Sequence, residues 1–370
     1  MNTLSQHARE KLSAFARALV DQSAAKVIVP PQESREGFWF GAGNLSIGPD
    51  GAMYLIGRYR NFGDSRTGLG AGTRGLELAI FRSTDRGKSF TKIVSFSKSG
   101  LNNGKREVVS IEGAKLLFGD GGVELFVSTE KRGIAYPAGL EAFLKPGTGV
   151  WTIDHARADS VEGLADAAID PLIECSDPRW LHVKDPAIHR SPGGETVLYF
   201  CTHPFNWSSA NTGMAVRPAG SDSFGEPDFE RFPRGFTWDV AASRVTGMVP
   251  VPPVGAFADR RQIFILFYDG AESLRKYDEH PSAVSRPRGY SCEELGGAAF
   301  SDEGLIGPIE RLSQTLPYFV SPHGTGCSRY VDVLETEEGY YASWQQSQPD
   351  RSQPLVLNFV PRADVERILR

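Results

Sequence analysis

The chain has 370 residues, 40% of them hydrophobic and 11% aromatic, so it can bury a sizeable core, and no apolar run is long enough for a membrane span. A net charge of −5 without a concentrated basic stretch excludes the phosphate-neutralising face that a nucleic-acid binder needs. Forty glycines and 24 prolines, falling mostly between short apolar runs, favour many strands joined by turns over helices.

The N-terminal segment, residues 1–24, reads as a short amphipathic helix with Leu12, Phe15, Ala16 and Leu19 on one face. Polar residues interrupt its apolar positions, so it lacks the continuous core of a secretory signal. Cys175, Cys201, Cys292 and Cys327 show neither close pairing nor metal-type spacing, which fits reduced thiols and a cytoplasmic location. Residues 25–370 read as one catalytic domain.

Ala25 to Pro30 is an orphan strand. The first repeated unit follows: a strand from Phe38 to Ile47, the turn Gly48-Pro49-Asp50-Gly51, a strand from Ala52 to Tyr59, then strands at Leu76 to Arg82 and Phe90 to Phe96. A second unit begins at Glu107 to Phe118 and continues at Gly122 to Thr129 and Gly149 to Ala156. The third begins at Leu181 to His189 and continues at Glu195 to Thr202 and Gly213 to Arg217. The fourth begins at Phe236 to Val251, followed by the strongly apolar Gln262 to Tyr268. The fifth begins at Gly326 to Leu334 and continues at Gly339 to Trp344 and Leu355 to Val360; Ala363 to Arg370 reads as a short helix. Recurring units of this kind predict an all-β, five-bladed β-propeller. The last unit is one strand short, and the orphan N-terminal strand is expected to complete it, closing the ring and removing exposed edges.

In a propeller the innermost strand of every blade lines a central channel, so polar residues near its start share one pocket. That logic places Asn44, Glu112, Asp185, Asp239 and Arg329 at comparable positions. Two carboxyl groups facing each other across a sugar can act as acid and base; separations of roughly 6.5–9.5 Å suit inversion and about 5 Å suits retention. Arg58 and Arg60 alternate with Tyr59 and therefore face one side of a strand, either toward the pocket or into a salt-bridged surface. His203 and His323 line the pocket or serve as ordinary hydrogen-bonding residues. Trp207, Trp238 and Trp344 stack on sugar rings or pack in the core. Glu293 and Glu294 read as part of a solvated loop.

Two segments carry a family resemblance. Lys184-Asp185-Pro186-Ala187-Ile188, followed by the strand TVLYFCT, and Ile111-Glu112-Gly113-Ala114, followed by GGVELFVST, resemble the first strands of blades in the five-bladed propeller glycoside hydrolases. That group spans arabinanases, xylosidases, invertases and mannoside phosphorylases and includes the family-43-like enzymes. The resemblance implies Glu112 as proton donor and Asp185 as base or modulator. The usual first-blade Asp stands here as Asn44, and the Pro after Glu-Gly as Ala114. The Glu-bearing blade also precedes the Asp-Pro blade, a reversal of the usual order. Asp239, in Phe236-Thr237-Trp238-Asp239, is the next candidate for the missing carboxylate. The turn Ser83 to Phe90 (STDRGKSF) is similar to the Asp-box of sialidases and other propellers, a structural signal.

The expected activity is exo-acting cleavage of an oligosaccharide or glycoside by carboxylates of the central pocket. Asn44, Arg58, Arg60, His203, Trp238, His323 and Arg329 would hold the carbohydrate. No organic cofactor is required, and a calcium ion in the central channel is left open. The alternatives are a sialidase-like enzyme with an arginine triad from Arg58, Arg60 and Arg329, a polysaccharide lyase drawing on Tyr59, Tyr268 or the histidines as base, and a non-catalytic sugar-binding propeller.

Overall fold

A computed structural model describes residues 4–60, 75–104, 106–119, 121–141, 149–203, 209–260, 262–272 and 294–370. The chain opens with helix α1 (Gln6–Leu19), whose first turn is capped by the Ser5 hydroxyl accepting from the Ala8 N–H. Strand β1 (Lys26–Val29) follows. Then come four sheets, each built from consecutive antiparallel strands. Blade 1 contains β2 (Trp39–Ile47), β3 (Met53–Arg60), β4 (Glu77–Ser83) and β5 (Thr91–Ser97). Blade 2 contains β6 (Val108–Gly119), β7 (Gly122–Lys131), β8 (Val150–Ala158) and β9 (Asp170–Ile173). Blade 3 contains β10 (His182–Arg190), β11 (Thr196–His203), β12 (Asn211–Arg217) and β13 (Asp228–Phe232). Blade 4 contains β14 (Ala242–Pro250), β15 (Phe264–Ala271), β16 (Leu295–Ser301) and β17 (Glu310–Arg311).

The fifth sheet pairs chain ends. Its order is β1, β20 (Leu355–Pro361), β19 (Gly339–Gln346), β18 (Ser328–Glu335), so the N-terminal strand is the outer edge of the last blade. Val27 lies opposite Val356 in this antiparallel pair. The closure expected from the missing strand is therefore present. Helix α2 (Arg362–Leu369) ends the chain and packs against α1.

The inner strands β2, β6, β10, β14 and β18 touch one another in cyclic order. Each sheet is covered on both faces by its neighbours, which is why the second strands β3, β7, β11 and β19 are buried at nearly every position instead of alternating. The core is correspondingly divided into five interblade seams. Leu12, Phe15, Ala16 and Leu19, the predicted apolar face of α1, join the seam between blades 4 and 5, where Phe15 meets the Tyr340 ring edge-on at 5.6 Å.

The Asp-box turn lies where the sequence placed it, between β4 and β5. Asp85 accepts from the Ser89 N–H at 2.9 Å and from Ser83 Oγ at 2.7 Å, while the Gly87 N–H reaches Ser83 Oγ at 2.9 Å. Hydrogen bonds from Ser89 lower the Asp85 carboxyl to about 2. Gly87 has φ +75°, a conformation that favours glycine. The start of blade 4 differs from expectation. Its strand begins at Ala242, and Phe236 is 99% exposed, because residues 236–239 form a loop fastened by Thr237 Oγ1 to Gln314 O and by Asp239 to Arg311.

Candidate active site

All five inner strands break register at the same depth. The unpaired residues are Ala42-Gly43, Glu112-Gly113, Asp185-Pro186, Thr246 and Tyr330-Val331. Three of them are non-glycine residues in the left-handed region: Ala42 at φ +60°, Asp185 at +53° and Tyr330 at +54°. A β-bulge turns side chains that would otherwise sit in the sheet seams toward the axis. The ring of bulges is what brings carboxylates of separate blades together.

Glu112 and Asp185 meet on that ring. Lys184 Nζ lies 4.0 Å from Glu112 Oε2 and 3.9 Å from Asp185 Oδ2, so the two carboxylates are no farther apart than those distances combined. Glu112 Oε2 also pairs with Arg58 at 3.0 Å, and Oε1 accepts from Ser110 Oγ at 2.9 Å. Asp185 is held by fixed donors: the Gly113 N–H on Oδ1 at 3.0 Å, and Arg244 at 3.0 Å and the Tyr330 hydroxyl at 3.3 Å on Oδ2. Ser128 Oγ bridges the two bulges by accepting from the Asp185 N–H and donating to Gly113 O, both at 2.9 Å. Gly113 is required here. A Cβ on it would stand 2.7 Å from Asp185 Oδ1.

Arg244 ties this pair to two further carboxylates, Asp269 at 2.8 Å and Glu294 at 3.4 Å. Arg329 pairs with Glu294 at 2.5 Å. Burial, reinforced by Glu294, pushes the Asp269 carboxyl up to about 6 despite Arg244. Burial acts on Glu294 in the same direction, but Arg329 and Arg244 outweigh it and hold Glu294 down to about 2. Aromatic rings line the cluster: Arg58 and Arg329 lie over the Trp39 indole at 4.4 and 4.9 Å, Lys184 over Trp151 at 4.3 Å and Arg244 over Tyr330 at 4.2 Å. Burial raises the Tyr330 hydroxyl well above its ordinary range, so it stays a hydrogen-bond donor.

Arg58, Glu112, Asp185 and Arg329 are thus gathered as the sequence suggested. Arg60 is buried one step further along the same face of β3, opposite Trp39. His203 is buried 5.1 Å from the Trp151 ring, with Nε2 3.4 Å from Cys201 Sγ, and burial keeps it neutral by pushing its pKa down. The remaining candidates lie elsewhere. Asn44 sits two residues beyond Ala42 of the blade-1 bulge, where its amide donates to Leu116 O and accepts from the Leu116 N–H, stitching blade 1 to blade 2. Ala42, not Asn44, is the structural counterpart of Glu112 and Asp185. Asp239 is fully buried in a bond to Arg311 at 2.6 Å and another to the Tyr268 hydroxyl at 3.2 Å. Trp238 belongs to the core, stacked on Tyr268 with its Nε1–H on Ser313 O. His323 is on an exposed turn, and Trp344 packs in the seam near α1, its indole on Gln22. Tyr59 and Tyr268, the tyrosines offered for lyase chemistry, are in hydrophobic seams. Glu294, expected in a solvated loop, is instead drawn into the cluster. Trp207 and Glu293 lie outside the described residues.

Sequence reasoning missed Arg244, Asp269, Tyr330 and the role of Lys184. Lys184 was the legible one, since it adjoins Asp185. The rest come from β14, β15 and β18 with no local signature. Among the described residues no group of three or more His, Cys, Asp or Glu side chains is placed to hold a metal ion. No helix among them is long and apolar enough to cross a membrane.

No family model matches the chain, and no curated protein matches it in sequence. Solved structures do match. A structure titled glycoside hydrolase superposes with a TM-score of 0.63 over 96% of both chains at 11% identity. The same fold is seen in a thermostable family-43 glycoside hydrolase, with a TM-score of 0.55 over 89% of each chain at 11% identity. An α-L-arabinofuranosidase from Lactobacillus brevis gives a TM-score of 0.56 over 93% of each chain at 11% identity. A β-1,2-mannobiose phosphorylase from Listeria innocua gives 0.52 over 94% of this chain and 93% of that one at 10% identity.

Proposed function

We propose that this chain cleaves glycosidic bonds, as an exo-acting glycoside hydrolase working through Glu112 and Asp185 on the propeller axis. The observation that carries the reading is the convergence of these two carboxylates, from neighbouring blades, on the Lys184 ammonium at 4.0 and 3.9 Å. Their surroundings separate their roles. Both oxygens of Asp185 are taken, one of them by a backbone N–H, so it is a fixed carboxylate that orients the sugar and tunes its neighbour. Glu112 is held by the side chains of Arg58, Lys184 and Ser110, which can yield to a bound sugar. Glu112 is therefore the group that exchanges a proton with the glycosidic oxygen. Neighbours of the same fold titled as an arabinofuranosidase and a mannobiose phosphorylase support glycoside chemistry on this fold.

The test is turnover of a panel of aryl glycosides and oligosaccharides by the wild type, Glu112→Gln and Asp185→Asn. Each variant should lose at least about 10²-fold in kcat while still binding sugar; undiminished turnover in both removes the assignment. Phosphorolysis is a second reading, favoured by the three cations Arg58, Lys184 and Arg244 on the pair and by Arg329 on the adjoining Glu294. Phosphate-dependent turnover with a glycosyl phosphate product would select it. An unsaturated, ultraviolet-absorbing product would select elimination instead.

A further inference from the structure

One ammonium group is bonded to three blades besides its own. Lys115, on β6 three residues after Glu112, is 4% exposed, and its Nζ donates to Gly43 O at 2.8 Å, Thr246 O at 2.9 Å and Asp332 Oδ1 at 2.8 Å. An ammonium has three donors, and all three are used. Gly43 and Thr246 are bulge residues of blades 1 and 4, and Asp332 directly follows the bulge of blade 5. Asp332 Oδ2 in turn accepts from the Leu45 N–H at 3.2 Å, and Thr246 Oγ1 donates to Val331 O at 2.9 Å. A cation of blade 2 thus clamps three other bulge regions from the channel side.

Two carbonyls and one carboxylate form an oxygen-only set of the kind that hard cations choose. Calcium, however, takes six to eight oxygens, and here the three that converge are occupied by Nζ. A divalent ion at hydrogen-bonding range of the same oxygens would stand against a like charge. The residues present do not fit a calcium ion at this point of the axis.

We propose that the Lys115 ammonium is the axial cation of this propeller, taking the oxygens that a divalent metal at this point would need, and that it is a positioning residue for the ring of bulges that presents Glu112 and Asp185. This inference concerns the floor of the site and holds whichever reaction the site performs. It predicts a metal-independent wild type. Melting temperature and calorimetric calcium titration on the full chain should show no effect of EDTA and no calcium binding. An EDTA-induced loss of stability, or one-site calcium binding, would overturn it. Lys115→Met keeps the volume and removes the charge; it should melt roughly 5 °C or more below the wild type, with or without calcium. Equal stability of Lys115→Met and the wild type would overturn the clamp. Lys115→Ala leaves the three oxygens facing a hole in which water can complete a calcium shell, so millimolar calcium should raise its melting temperature by several degrees and leave the wild type unchanged. Failure of calcium to act on Lys115→Ala alone would count against the cation-site reading.

Discussion

Asp269 and Glu294 share Arg244, yet their surroundings drive them apart, one up to about 6 and the other down to about 2. The signs of their contributions to stability are opposite. Asp269 binds its proton more tightly in the folded state, so its contribution is complete below its ordinary value of 3.8 and is lost as pH rises through about 6. Glu294 contributes above its ordinary 4.5 and loses that contribution as pH falls toward about 2. Stability should therefore decline between pH 4 and 6 by up to about 3 kcal/mol from Asp269. Asp269→Asn should lack this decline. Urea midpoints of the two proteins at pH 4, 5 and 6 check it, and parallel profiles would refute it. At this scale the site was half legible. Glu112 and Asp185 stand out in sequence because Gly113 and Pro186 mark the backbone irregularity beside them. Arg244 and Asp269 sit inside ordinary apolar strands, where nothing local separates a pocket side chain from a seam side chain.

The element that shapes the site is the bulge. As a polar residue near the start of its strand Asn44 reads as pocket-lining, but the unpaired Ala42-Gly43 breaks the register just before it and Asn44 bonds Leu116 in the seam. The same register break puts Glu112, Asp185 and Tyr330 on the axis. Gly113 is the tightest point of this arrangement. A methyl group there meets Asp185 Oδ1 at 2.7 Å, Asp185 Cα at 3.1 Å and Ala42 O at 3.3 Å, so three bulges would have to part. Gly113→Ala should fold and yet lose on the order of 10²-fold in kcat by displacing Asp185. Steady-state kinetics beside a circular dichroism spectrum separates this from unfolding; wild-type kcat would show that Asp185 position is unimportant. Blade 4 gave the poorest correspondence for a related reason. The apolar Phe236 and Trp238 resemble a strand start, but tertiary bonds from Gln314, Ser313 and Arg311 hold them in a loop.

The whole molecule is a ring closed by pairing Lys26–Val29 with β20, across nearly the full length of the chain. Removing residues 1–30 would expose the β20 edge and strip the apolar face of α1 from the seam between blades 4 and 5. Such a truncated chain should aggregate or melt well below the intact one, checked by gel filtration and thermal denaturation; an equally stable monomer would mean that the closure contributes little. The primary structure by itself determined the number of sheets, the turns between their strands and the need for an N-terminal strand, because these depend on apolar runs and turn residues that act over a few positions. Only the tertiary structure decided which charges meet. Bulges set the direction of each side chain, and residues as distant as Arg58, Asp185, Arg244 and Tyr330 become neighbours only once five sheets share an axis.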